Sequence, residues 1–451
     1  MLNFFGNKKY TTVSIPICFI TFIITLLLGQ ILIERSSFYS LLIWQVLLYS
    51  IFIYLFLVSQ FISLKKILLV AIICRVFTAF VMPSLSDDVY RFIWDGQLLV
   101  SGNNPLLTTP DSYINQLSPT SPHFNYFSVL HSKINHPQFY TCYPPLMQLV
   151  FWIAAEAGTL SITASTIIIK LIVAMFDILG IYYFVKILKI QLLSPKLVLL
   201  YALNPLVIIE GVGNAHFEVV QVALMIVSMY LLLIKKINVA AVFWGLAIVA
   251  KLLPLLLLPL WIRLLGLKKG LLFAVISGCV TVITFLPFLS AKAISGFSNS
   301  LDLYFQNFEF NASFYYLARE VGWWVKGYNY ISFIGPFLFF IFLGCYAVIY
   351  FRYRKIIFLQ FANLCLLIFT LYYLLATTVH PWYIINLLPF AIITNRRFAI
   401  VWLAAAFLSY NAYAYIPFSE NLWYCLVEYM LVLLAFIYDI KKNNLIPGNK
   451  P

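Results

Sequence analysis

The sequence predicts an all-α integral membrane protein, a bundle of about 13–14 transmembrane helices with two large loops on one side. Three observations carry that reading. Of 451 residues, 63% are hydrophobic and 10% are charged, and the mean hydropathy is +0.96. A water-soluble fold of this length needs more charge on its surface, so most of this surface meets lipid. The apolar residues come in runs near the roughly 20 residues that cross a bilayer as a helix. The basic residues gather in short clusters between runs, at links that alternate along the chain, as the excess of Lys and Arg on the cytoplasmic side requires.

Taken in order, the candidate spans cover 13–33, 39–62, 67–83, 164–185, 196–210, 219–234, 238–251, 254–266, 270–290, 331–351, 356–377, 382–394, 398–416 and 422–439. Lys8 and Lys9 precede the first with no small-residue cleavage site after it, which predicts a retained helix. With the N-terminus cytoplasmic, the inner links hold Lys8–Lys9, Lys65–Lys66, Lys186, Lys189 and Lys196, then Lys235–Lys236 and Lys268–Lys269. They also hold Arg352, Arg354 and Lys355, then Arg396–Arg397 and Lys441–Lys442. Every cluster falls on one side, the C-terminus included. The net charge of +14 is therefore an orientation signal and predicts no nucleic-acid partner. Of the seven cysteines, only Cys142 lies in a polar loop, and no C-x-x-C occurs. A disulfide framework is not expected.

The same parity settles residues 143–158, which are apolar but start at Pro144–Pro145. Counting them as a span would place Lys186, Lys189 and Lys196 outside. They are expected to lie at the outer interface or to dip in without crossing. Residues 84–163 then form the first outer loop and 291–330 the second. The second is aromatic, with Tyr304, Phe305, Phe308, Phe310, Phe314, Tyr315, Tyr316, Trp323 and Trp324, as suits helices lying at an interface. No internal repeat is visible. The chain 1–451 reads as one transmembrane domain, with 1–62 forming two N-terminal helices.

Chemistry is expected where polar residues crowd against this lipid bias. The first outer loop opens PSLSDDVYRFIWDGQLLVSGNNPL. Asp87 and Asp88 are adjacent, with Arg91, Trp94 and Asp95 recurring on one helical face. Ser86 can cap a helix starting at Asp87, where the dipole favours acids. The plain alternative is an acidic helix start facing water. The functional reading is a carboxylate that deprotonates a hydroxyl nucleophile, tuned by its charged neighbours. The same loop carries Asn135-His136-Pro137 and Tyr143-Pro144-Pro145. Further on, GVGNAHFE places His216 and Glu218 at the outer side, where facing lipid would be costly. Lys251 falls on the outer side between two tight helices, able to pair with a lipid phosphate or to snorkel. Arg75 lies within the third span and needs a partner or water. His380, Trp382 and Tyr383 sit in another outer turn, suited to stacking on sugar rings or to an aromatic belt. The sequon Asn311-Ala312-Ser313 is assigned no role. Asp302 and the acidic pair could bind a divalent ion, but the set is not metal-specific, so no cofactor is assigned.

Four segments, SDDVYRFIWDGQLLVSGNNPL, INHPQFYTCYPPLMQLVF, NPLVIIEGVGNAHFE and HPWYIINLLPF, together resemble the GT-C superfamily of membrane glycosyltransferases. The nearest group is the bacterial polyprenyl-phosphate-mannose-dependent mannosyltransferases and related glycosyltransferase family 87 proteins. The YPPL and HFE elements are also similar to the eukaryotic dolichol-phosphate-glucose and GPI mannosyltransferases. The matches spread from about residue 75 to 390, and their shared order is more specific than any one of them.

The resemblance implies a GT-C-type bundle and inverting transfer of a sugar, mannose or another hexose, from a polyprenyl-phosphate donor. The acceptor it implies is a glycan or a lipid-linked glycan on the outer face of a bacterial plasma membrane. It implies that an acid in the first large outer loop is the general base, which maps onto Asp87 or Asp88 with Asp87 favoured. It also implies that the loop near 291–330 helps close over the donor. The departure is the acidic loop after the third span rather than the first, with 13–62 as an addition that keeps the parity. The residues fit that chemistry unaided. A phosphate leaving group needs positive charge more than an acid, and Arg75, Arg91 and Lys251 are the candidates. The remaining substrate-facing set is Trp94, Asp95, His136, Tyr143, His216, Glu218, His380, Trp382 and Tyr383. A lipid-linked glycan polymerase or ligase would show more arginine in its outer loops for two phosphates. A polytopic transporter would show repeats and mid-span charges.

Overall fold

The computed structural model describes residues 8–296, 298 and 308–442. Asp302, Tyr304 and Phe305 lie outside them. The described residues are helical, with one bridged pair, Phe310 and Thr378, and no strand. The helices are α1 (Lys8–Leu32), α2 (Phe38–Leu57), α3 (Leu64–Ala79), α4 (Asp88–Val100), α5 (Pro110–Gln116), α6 (Phe124–His131), α7 (Pro145–Gly158), α8 (Ile162–Ile190) and α9 (Leu199–Ala202). After a π-helical turn at Val207–Gly213 come α10 (Glu218–Leu233), α11 (Ile237–Ala250), α12 (Leu258–Leu265) and α13 (Leu267–Phe285). The rest are α14 (Phe314–Lys326), α15 (Ile331–Arg352), α16 (Phe358–Leu375), α17 (Leu388–Ile393), α18 (Phe398–Ala405) and α19 (Leu422–Lys442).

Each of the fourteen expected spans coincides with helix. Seven are apolar and at least 18 residues long: Ser14–Leu32, Phe38–Leu57, Ile162–Ile190, Leu267–Phe288, Ile331–Arg352, Phe358–Leu375 and Leu422–Lys442. Pro195–Ala202 and Val207–Gly213 form a pair bent by 62°. Proline is the reason several others are short. Pro254, Pro259, Pro381 and Pro389 each sit where an amide would otherwise extend the preceding turn. The long helices carry their apolar side chains outward: Ile17, Val275, Ile283, Phe340 and Leu434 are each more than half exposed. Such a surface is stable only in lipid.

The chain divides into two compact units. The first takes Met1–Ser86, Lys170–Ile234 and Pro381–Asn443. Its helices α1 and α2 are pinned by Trp44, whose indole Nε1 donates to the Thr25 carbonyl at 2.8 Å. Gly29 makes room for that ring, since a Cβ there would fall 2.0 Å from it. On α3, Arg75 is fully buried. Its Nε donates to Asp177 Oδ2 on α8 at 2.6 Å and its Nη1 to the Ala202 carbonyl at 2.7 Å. Tyr201 completes the group by donating to Asp177 Oδ1 at 2.8 Å. Arg75 thus has the partner that a guanidinium inside a span requires, and Asp177 is the residue that the sequence analysis did not pair with it.

The second unit takes Asp87–Ile169 and Lys235–His380 among the described residues. In it α4 and α7 lie against one another, and α11 packs on α13. Gly96 permits the first of these contacts: a Cβ there would sit 2.2 Å from the Phe151 carbonyl oxygen. The segment 308–311 is laced to 377–379. The Phe310 amide donates to the Thr377 carbonyl at 3.1 Å, and the Val379 amide donates to the Phe310 carbonyl at 2.8 Å. Asn311, the acceptor of the sequon, is fully buried and donates to the Val379 carbonyl.

Candidate active site

In the second unit the acidic motif opens α4. Asp87 occupies the N-cap position and Asp88 the first turn, so the helix starts one residue later than a Ser86 cap would give. Both carboxylates are half-buried, at the end of the helix whose exposed amides and dipole favour negative charge. Asn135 Nδ2 donates to Asp87 Oδ2 at 3.0 Å. The Asn135-His136-Pro137 motif is therefore brought to the acid by its asparagine. His136 next to it is exposed and adopts a left-handed φ of 57°.

One and two turns further, α4 is anchored by a buried polar group. Arg91 Nε donates to Asp95 Oδ1 at 2.9 Å, and its Nη1 donates to the Phe139 carbonyl at 2.9 Å. Asp95 Oδ2 also accepts from Thr141 Oγ1 at 2.5 Å and from Gln148 Nε2 at 3.0 Å. Asp95 is fully buried and Arg91 nearly so. The pair forms an ion pair inside the fold and ties α4 to 139–148. Thr141 and Gln148 were not singled out from the sequence, because nothing in their spacing marks them.

Trp94 is also fully buried, edge-on to Tyr113 at 5.8 Å and Phe127 at 5.0 Å. It is the core of the loop's own small cluster. Burial raises the phenols of that region, and Tyr126 is pushed up to about 12. Tyr143 is half-buried with its ring edge-on to Phe92 at 4.9 Å. Lys251 caps the C-terminal end of α11 with an extended backbone and is half-buried. His380 stacks on Phe310 at 4.8 Å and on Phe308 at 6.0 Å, which ties this histidine to the second of the two large loops. In that loop Glu309 accepts from Arg319, Tyr315 and Asn329. Burial, then Glu309, raises the Tyr315 phenol.

In the first unit the HFE segment forms a second polar cluster. The π-helical turn at Val207–Gly213 turns Glu210 into the interior, where it is fully buried. Its Oε1 accepts from Tyr410 at 2.6 Å and its Oε2 from Asn214 Nδ2 at 3.2 Å. His216 Nδ1 lies 3.1 Å from the same Oε2. The His216 ring stacks on Trp382 at 3.7 Å, so these two sequence-predicted residues meet. Glu218 is buried at the start of α10. Tyr383, beside Trp382, is half-buried. Asn214 Oδ1 accepts the Leu85 amide at 3.1 Å, and Lys170 Nζ donates to the Val81 carbonyl. Glu210, Tyr410 and Lys170 escaped the sequence analysis. The π turn that brings Glu210 to Tyr410 has no sequence signature, although single-turn π insertions recur at functional sites.

Among the described residues no group of three His, Cys, Asp or Glu side chains could hold a metal ion. The arrangement offers instead a half-buried carboxylate with an oriented oxygen, at a helix start braced by buried hydrogen bonds. A family model described as alpha-(1->6)-mannopyranosyltransferase, N-terminal domain, matches residues 25–266, more than half of the chain. The match takes in α2, α3 and the whole acidic motif. No curated protein and no solved structure matches the chain.

Proposed function

The chain belongs to the alpha-(1->6)-mannopyranosyltransferase family, and on that premise we propose that it moves mannose, or another hexose, from a polyprenyl-phosphate donor to a glycan or lipid-linked glycan acceptor, with inversion at the anomeric carbon and on the outer face of the plasma membrane. The observation that carries this is the Asp87 carboxylate, half-buried at the start of α4 with one oxygen held by Asn135 at 3.0 Å. In this reading Asp87 takes the proton from the acceptor hydroxyl. The oxygen attacks the anomeric carbon, and the glycosidic bond to the lipid phosphate breaks. Asp88 places a second carboxylate beside it, in the first turn of α4.

The leaving phosphate gains charge as the bond breaks, so a cation near it stabilises the transition state more than the ground state. Lys251 is half-buried at the end of α11, in the same unit as Asp87. We assign the phosphate to Lys251. His216 and Trp382 form a stacked pair of the kind that borders a sugar ring, and Glu210 fixes the histidine. Purified chain in nanodiscs, offered a panel of polyprenyl-phosphate sugars, should release polyprenyl phosphate from the mannose donor in step with acceptor glycosylation. Absence of release from every member of the panel would refute a lipid-phosphate donor.

A further inference from the structure

An open cavity in the first unit is lined by residues to which no role has been assigned. It measures about 380 Å³ and is lined by Glu34, Arg35, Ser84, Tyr413, Tyr415 and Phe418 among others, a size within the ~300–1,000 Å³ of small-ligand sites. Its wall comes from the link between α1 and α2, from the irregular segment after α3, and from the segment before α19. Arg35 lies over the Tyr413 ring at 4.8 Å, and Phe418 meets Tyr413 edge-on at 5.3 Å. That wall is held in place. The Asn421 amide donates to Asn411 Oδ1 at 3.0 Å, and Tyr413 packs on Tyr410 at 5.8 Å.

Two of the lining residues are well exposed, Tyr415 at 49% and Phe418 at 46%. In a chain whose outward apolar groups belong in lipid, these two stand beside a carboxylate, a guanidinium and serine hydroxyls. Flat aromatic faces next to charged hydrogen-bonding groups match a pyranose, which has an apolar C–H face and an equatorial rim of hydroxyls. Glu34 on the wall disfavours a bare anion. Ser84 precedes Asp87 by three residues in the chain.

We propose that this cavity is a glycan subsite taking one or two neutral hexose units, stacked on Tyr415 and Phe418 with hydroxyls on Glu34 and Arg35. The identity of the glycan rests on the transferase reading; the existence of the subsite does not. The test is titration of the full chain in nanodiscs with an α-linked mannose disaccharide, read by ligand-observed NMR. Wild type should bind, and Tyr415→Ala and Phe418→Ala should each weaken binding about tenfold, as loss of an aromatic anchor does. Glu34→Gln guards against misfolding of either aromatic variant and should weaken binding as well. A wild type that binds no disaccharide, or variants that bind it unchanged, would overturn the subsite. So would loss of co-purifying phosphatidylglycerol from the aromatic variants with unchanged sugar binding, since the cavity is then a lipid site. Binding without any sugar transfer by wild type would count against the transferase reading alone.

Discussion

Asn214 Oδ1 holds the Leu85 amide at 3.1 Å, two residues before Asp87. Asn214 is in turn held by Glu210, which also takes the Tyr410 hydroxyl. The entry to the acidic motif is thus fixed by a buried carboxylate far away in the chain. Tyr410→Phe removes one donor from that carboxylate and should cost about 1–3 kcal/mol of stability, the range for a buried acceptor left short of a partner. Glu210→Gln should lower the transfer rate and weaken donor affinity together, because it loosens Asn214 and also His216, which lies 3.1 Å from the same carboxylate. Thermal unfolding in detergent and a kcat-against-KM split check both; unchanged values for both variants would remove Glu210 from this role.

Asp87→Asn should lower transfer by about 10²–10⁴-fold, the range for losing a general base, with normal insertion and fold. Asn135→Ala should act on the same step more weakly, since it frees the carboxylate without removing it. Single-turnover release of polyprenyl phosphate measures each. Near-normal turnover in an Asp87→Asn, Asp88→Asn double variant would place the base outside this motif.

The Arg91–Asp95 pair gives the opposite signature. Asp95→Ala leaves a buried guanidinium without its carboxylate and should destabilise by about 3–5 kcal/mol. Arg91→Met with Asp95→Leu together should recover much of that loss, because a buried pair replaced by apolar groups of similar volume is often neutral. A double variant no better than Asp95→Ala would show that Thr141 and Gln148, not Arg91, dominate the group.

Gly96→Ala tests the close approach of α4 and α7. Its Cβ would fall 2.2 Å from the Phe151 carbonyl, so the helices must part, at a cost of about 1–3 kcal/mol as for other overpacked cores. Because α4 carries Asp88 and abuts Asp87, activity should fall further than stability. Parallel loss of both, in proportion, would show that the contact is only structural.

Orientation is read by labelling. Leu160→Cys and Ile190→Cys, exposed positions just before α8 and at its last residue, should react from opposite sides of the membrane in a cysteine-free background. Labelling from the same side would return 143–158 to the list of crossings.

The bundle was legible from the sequence because lipid leaves a strong imprint: long apolar runs and one-sided basic clusters. The same signal located the acidic pair, since polar residues that crowd against it stand out. What the sequence hid was pairing at a distance. Arg75 and Asp177 are separated by 102 residues and Tyr410 and Glu210 by 200, and no periodicity reports on such contacts. The role of Asp95 was hidden for another reason. A carboxylate on the same helical face as Asp87 looks the same in sequence whether it faces water or Thr141 and Gln148, and only burial separates the two cases.

The distance between Arg75 and Asp177 also governs how the protein is made. Alone in a membrane, an arginine within a helix costs up to about 2.5–3.5 kcal/mol to insert, the figure for the helix centre. The carboxylate that neutralises it emerges 102 residues later, some 5–20 seconds at ordinary rates of synthesis. Until α8 arrives, α3 has no acidic partner from that helix and must stay near the insertion channel or beside water. The order of synthesis therefore leaves α3 open to quality control until α8 is made, and a nascent chain halted before Asp177 should be more readily recognised by membrane proteases than one halted after it.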